Sequence, residues 1–171
     1  YNPDKTLIDQ YRTMHDEGHF QGMSVLKHVR EISKLVISTN SISLLDYGCG
    51  GGVQYHTNGC HLYWGGILPA LYDPAVGEYN LRPIGKFDGV ICTDVAEHVA
   101  ENEVPDFLND LFQYANKFVF ITICTRPARK VLPDGRNTHL TVKPKEWWVE
   151  KIKSVAINYP GIEVGIDWNN K

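Results

Sequence analysis

The stretch LLDYGCGGG, Leu44 to Gly52, decides how the rest of the chain is read. An apolar run of Ile42, Leu44 and Leu45 leads into an acid, Asp46, and then into four glycines within five positions. This pattern predicts a buried strand, Ile42 to Asp46, running into a loop whose backbone comes close to another group. Glycine suits such a loop because it has no Cβ and takes positive φ at little cost. In open α/β sheets the ligand crevice lies beyond the carboxyl ends of the strands, where this loop would sit. A phosphate-binding P-loop would end in Gly-Lys-Ser/Thr, but Val53 and Gln54 follow Gly52. The dinucleotide fingerprint G-x-G-x-x-G would need glycine at position 53, which is Val53. A glycine-rich turn without a ligand is the plain alternative at this point.

Outward from the loop, Val53 to Gly66 is poor material for a long helix. Pro69 to Tyr72 gives a short second strand ending in Tyr72-Asp73-Pro74. Only thirteen residues, Pro74 to Lys86, precede a third strand, FDGVICT, Phe87 to Thr93. Asp94-Val95-Ala96-Glu97-His98 follows it. Pro105 suits the first turn of a helix, and Phe107, Leu108, Leu111, Phe112 and Ala115 form its apolar face. KFVFITIC, Lys117 to Cys124, reads as a buried parallel strand because its apolar run is continuous. After a loop from Thr125 to Lys145 come a helix, Lys145 to Val155, and a last strand, Ile162 to Trp168. Upstream, a short helix fits around Thr6 to His15. Val25, Val29, Ile32 and Val36 share one face of a second helix, with Ser24 as its N-cap.

Asp46, Gly48, Gly50 and Gly52 resemble the first motif, strand then D-x-G-x-G-x-G, of the class I S-adenosylmethionine-dependent methyltransferases. Asp73 falls where members of that superfamily carry an acid closing the second strand, which accepts the ribose hydroxyls of the cofactor. FDGVICT with its downstream Glu-His pair resembles the fourth motif of many small-molecule and RNA methyltransferases. The resemblance covers about residues 42 to 125. It implies a three-layer, Rossmann-like α/β sheet, mostly parallel, with a shortened region between strand two and the Phe87–Thr93 strand. That shortening predicts a missing edge strand and leaves adenine recognition open. Residues 1–40 would be leading helices on a core of residues 41–171, all in one domain. The family often ends in an antiparallel hairpin, and there is room here for part of one. The cofactor would lie against Asp46, Gly48, Cys49, Gly50 and Gly52, against Tyr72 and Asp73, and against Thr93, Asp94 and Val95.

Asp94, Glu97 and His98 are spaced i, i+3, i+4, and a helical turn starting at Asp94 would put them on one face. With His139 they resemble the metal cluster, Glu-x-x-Glu-His and a later His, of small-RNA 3′-terminal 2′-O-methyltransferases. They also resemble the Glu-His and later His of ubiquinone-pathway O-methyltransferases. The resemblance implies Asp94, Glu97, His98 and His139 as ligands of one divalent ion. Such a mixed set suits Mg²⁺, Mn²⁺, Fe²⁺ or Zn²⁺ better than Ca²⁺. His98 or His139, with Glu97, would serve catalysis, a histidine acting as base. Cys49, His56, Cys60 and His61 fit no standard zinc-finger spacing.

The bulk composition suits a soluble globular protein. Of 171 residues, 43% are apolar and 22% charged. No apolar run approaches the roughly 20 residues of a membrane span. No signal-peptide pattern appears in this chain, which begins at Tyr1. Four scattered cysteines ask for no disulfide, which points to a reducing, cytoplasmic setting. Net charge is −3, yet residues 126–145 hold six basic side chains against one acid, Asp134. Arg126, Arg129 and Arg136 in that loop favour an anionic small-molecule acceptor. RNA or a nucleotide is the second acceptor class, and a cofactor-binding protein without transfer activity is the non-enzymatic alternative.

Overall fold

The computed structural model describes residues 1–169; residues 170 and 171 of the expected domain lie outside them. Five strands form one sheet: β1 (Leu44–Tyr47), β2 (Ala70–Tyr72), β3 (Phe87–Thr93), β4 (Ala115–Ile123) and β5 (Glu163–Trp168). Their order is β2-β1-β3-β4-β5 and every pairing is parallel. Among the described residues the expected partial antiparallel hairpin does not form, and β5 runs parallel beside β4. Among the described residues no strand pairs with the outer side of β2, as the short Pro74–Lys86 segment predicts.

Alternation along the strands feeds two cores. Leu45, Tyr47, Val90, Cys92, Val119 and Ile121 face α4 (Val104–Tyr114) and α5 (Lys145–Ala156), which bring Phe107, Leu111, Trp148 and Ile152. Leu44, Ile91, Phe118 and Phe120 face α2 (Val29–Ser38) and the single-turn α3 (Val53–His56) with the 3₁₀ turn Cys60–Trp64. The result is a sheet covered by helices on both faces, the Rossmann-like doubly wound arrangement. On the α2 face the aromatic rings lie over glycines. A Cβ at Gly89 would stand 2.1 Å from the Phe118 ring, and one at Gly165 would stand 2.8 Å from Phe120.

Several element boundaries differ from the sequence reading for local reasons. Ser24 caps no helix; it opens a 3₁₀ turn, Ser24–Lys27, and α2 begins only at Val29. Ala115 starts β4 instead of ending α4, and Cys124 lies just beyond β4. Ile42 is 81% exposed and lies outside β1. α1 (Lys5–Asp16) is capped by Asp4, whose carboxylate accepts from the Leu7 N–H at 2.9 Å. Its buried Leu7, Tyr11 and Met14 join Ala75 and Leu132 in a third, smaller apolar cluster. That cluster fixes α1 across the carboxyl ends of the strands. The Pro74–Lys86 segment is anchored by Arg82, which donates to both oxygens of buried Asp110 at 2.6 and 2.8 Å. No helix among the described residues is long and apolar enough to cross a membrane.

Candidate functional site

The strand order reverses between β2 and β3, on either side of β1, and in doubly wound sheets the ligand crevice opens at such a switch point. A cavity of about 1080 Å³ lies there. Small-molecule sites occupy about 300–1,000 Å³, so this one has room for a nucleoside and a second small molecule. Its walls come from α1 (Leu7, Tyr11, His15), the glycine loop, Asp73, the Thr93–His98 segment and the loop after β4.

The glycine loop is tightly tied to its own chain. Gly50 N–H donates to Asp73 Oδ2 at 3.0 Å, and Gly51 N–H to the Phe20 carbonyl at 3.2 Å. A Cβ on Gly50, whose φ is 57°, would stand 2.4 Å from the Phe20 oxygen. The close approach that the glycines permit is thus first to the Phe20–Gly22 backbone. Gly48 and Gly50 still line the cavity, as do Asp73, Thr93, Asp94 and Val95. Asp46, Cys49, Gly52 and Tyr72, expected against the cofactor, do not; Asp46, Cys49 and Tyr72 are buried behind the loop. Asp46 accepts from Gln54 Nε2 at 2.7 Å, its other oxygen has no partner, and burial pushes its carboxyl up to about 7. Burial also raises Asp73, against the pull of nearby His15 and of the Ala75 and Gly50 N–H groups.

One ligand atom from each of Glu97, His98 and His139 lies within 4.8 Å of the others; His98 and His139 line the cavity and Glu97 stands behind them. The hydrogen bonds behind these rings fix which nitrogens are free. His139 Nδ1 is 2.6 Å from the Arg126 carbonyl, which can only accept, so Nδ1 carries the proton. Tyr11 directs its single hydroxyl proton at the Thr138 carbonyl, 2.8 Å away. Its oxygen therefore accepts from His98 Nδ1 at 3.2 Å. Both imidazoles keep a bare Nε2. Glu97 is fully buried; Oε1 accepts from the Cys124 N–H at 2.9 Å and Oε2 has no partner. An orphaned buried oxygen beside two oriented imidazoles fits a divalent cation. Ligand atoms around one ion stand about 3–4 Å apart, so only a small closure is needed. Burial pushes Glu97 up to about 8, and burial with neighbouring His139 holds His98 down at about 3. His98 is thus neutral across the physiological range, which suits a ligand and makes it a poor base.

Two expected site residues stand elsewhere. Asp94 adopts φ 56° and the following 3₁₀ turn starts only at Ala96, so it shares no helical face with Glu97 and His98. It stays in the cavity wall but outside the trio. Arg136 is bound to Asp134 at 2.7 and 2.9 Å within its own turn and does not line the cavity. Arg126, Arg129 and Lys130 do line it. Residues given no site role in the sequence reading also contribute: Tyr11 behind His98, Ser24 and Thr122 on Asp94, and Asn169 at the cavity edge. Thr122 alone left a signal, a hydroxyl inside the apolar run FVFITI.

Tyr11 gives a direct test of the tautomer argument. Tyr11→Phe keeps the ring but removes the hydroxyl that bonds both His98 Nδ1 and the Thr138 carbonyl. Unfolding free energy should fall by about 0.5–1.5 kcal/mol. Divalent-cation affinity, read by calorimetry, should drop about 10–100-fold, the usual cost of losing such an outer partner. Unchanged affinity would show that Tyr11 does not orient His98.

Comparison with models of protein families, with curated protein sequences and with solved structures finds no match to this chain.

Proposed function

We propose that this chain is an S-adenosylmethionine-dependent methyltransferase acting on an oxygen or nitrogen of a small anionic acceptor. The observation that supports it most is the mixed charge of the residues lining the cavity at the glycine loop. Asp73 beside the glycine loop and Asp94 after β3 line it together with Arg126, Arg129 and Lys130 from the loop after β4. The proposed donor carries a sulfonium and an ammonium, which suit the acids; an anionic acceptor suits the bases.

S-adenosylmethionine, when bound, supplies an already activated methyl, so alignment of the two substrates provides much of the rate. The chain's own part is to hold the donor against the glycine loop and Asp73, and to draw the acceptor's negative group towards Arg129 and Lys130. An acceptor hydroxyl also has to lose a proton. His98 is too weak a base for that, which leaves His139 Nε2 or water as the recipient. The orphaned Glu97 Oε2 favours a metal-assisted form of the same reaction. A divalent cation on Glu97, His98 and His139, when bound, would lower the pKa of an acceptor hydroxyl.

The test is methyl transfer from labelled donor to a panel of acceptors, nucleotides and short RNA included, at rising salt. Exposed charges are screened over about 8 Å at physiological ionic strength, so acceptor KM should rise with salt. Arg129→Glu with Lys130→Glu should lower kcat/KM at least about tenfold, while Arg136→Ala changes it less than about twofold. Donor binding without transfer to any acceptor would favour the non-enzymatic reading. Failure to bind the donor at all would overturn both.

A further inference from the structure

We infer that the divalent-cation site of this chain has three protein ligands, Glu97, His98 and His139, and that Asp94 is committed elsewhere and does not coordinate. This rests on the metal-assisted form of the reading above. It departs from the four-residue set that the sequence pattern implies.

The two carboxylates differ in what already holds them. Asp94 Oδ1 accepts from Thr122 Oγ1 at 2.9 Å, and Oδ2 accepts from Ser24 Oγ at 2.7 Å and from Asn169 Nδ2. A carboxylate offers about four lone-pair sites, so three are taken. The donors come from three separate parts of the chain: the 3₁₀ turn before α2, strand β4 and the end of β5. Asn169 is itself held, its N–H donating to the Ile123 carbonyl at 3.0 Å and its Oδ1 accepting from Lys27 Nζ at 3.3 Å. Asp94 is not among the residues whose ligand atoms gather within 4.8 Å, and moving its carboxylate to join them would pull against the bonds to all three segments. Glu97 is the opposite case, because its Oε2 is buried and unpartnered and gains its missing contact by coordinating. Backbone geometry adds to this. The left-handed φ of Asp94 turns the chain before the 3₁₀ turn that carries Glu97 and His98.

Two imidazoles and one carboxylate leave three positions of an octahedral ion for solvent and acceptor. That donor set suits Mn²⁺, Fe²⁺, Co²⁺ or Zn²⁺ above Mg²⁺, which prefers oxygen ligands.

Co²⁺ titrated into the full chain, followed by its visible absorption and by calorimetry, tests the assignment. The parent should bind one equivalent. Glu97→Gln, His98→Ala and His139→Ala should each weaken binding at least about 30-fold. Asp94→Asn keeps the side chain's shape and most of its hydrogen bonds, and should keep both spectrum and affinity, within about threefold. A 30-fold loss in Asp94→Asn, with an unchanged melting temperature, would overturn the inference. Ser24→Ala with Asn169→Ala frees Asp94 without touching the trio, and should also leave Co²⁺ affinity unchanged. Tighter binding there would reveal a latent fourth ligand and would overturn the inference too. If the parent takes up no Co²⁺, the metal-assisted reading fails with it, whereas donor binding, measured separately, does not.

Discussion

S-adenosylmethionine titrated into the Asp73→Ala variant should bind at least about 100-fold more weakly than to the parent, the loss of two charge-assisted hydrogen bonds. Asp73 follows β2 directly and is 8% exposed on the cavity wall. Its oxygens accept from Gly50 N–H at 3.0 Å and Ala75 N–H at 2.9 Å, which orients the carboxylate and leaves about two lone-pair sites free. Vicinal hydroxyls of a ribose would use both. Because Asp73 also ties the glycine loop, the alanine variant has a second route to weak binding. A cycle with the 2′,3′-dideoxy analogue of the demethylated cofactor separates the two. The parent should bind that analogue poorly, and Asp73→Ala should cost little more with it. Equal binding of the natural ligand by parent and variant would remove Asp73 from the ribose. No binding by the parent would remove the methyltransferase reading altogether.

The sequence made the framework legible where burial acts on both faces of a strand. FDGVICT carries so continuous an apolar run that Phe87–Thr93 has the same bounds in sequence and structure. The Glu97–His98 pair and the distant His139, grouped in the sequence by resemblance, are brought together by the fold. The placement of Asp94 was not legible, since a positive φ at a non-glycine residue leaves no mark in composition or spacing. Ser24 looks like a helix cap because serine caps helices well, yet its hydroxyl serves Asp94 across 70 residues of sequence. Arg136 was counted as an acceptor contact because a charge sum ignores local turns. Pro133-Asp134-Gly135 is such a turn, and its aspartate holds the guanidinium. The glycine loop was half legible. Its need for close approach could be read, but the neighbour it approaches, Phe20–Gly22, comes from a segment with no periodicity.

Asp46→Asn should make the protein more stable relative to the parent as pH rises, by roughly 3–4 kcal/mol between pH 4 and pH 8. Asp46 is fully buried beneath the glycine loop, with one oxygen bonded to Gln54 and the other unpartnered. Burial lifts its carboxyl from 3.8 to about 7 in the folded chain. Between those values the folded state holds a proton that the unfolded state has released. Parent stability therefore falls with rising pH across that window and levels off above it. Asparagine cannot ionise, so the variant lacks this contribution, while its side-chain oxygen still accepts from Gln54. Its amide replaces the unpartnered oxygen at a cost that does not vary with pH, about 1–3 kcal/mol. The variant should thus be the less stable protein in acid and the more stable one at pH 8. Paired urea titrations at half-unit pH steps measure the difference directly, and groups titrating alike in both proteins cancel from it. A difference that stays flat from pH 4 to pH 8 would show that Asp46 is ionised throughout. The loop would then sit on a buried negative charge, which would itself favour a cationic donor above it.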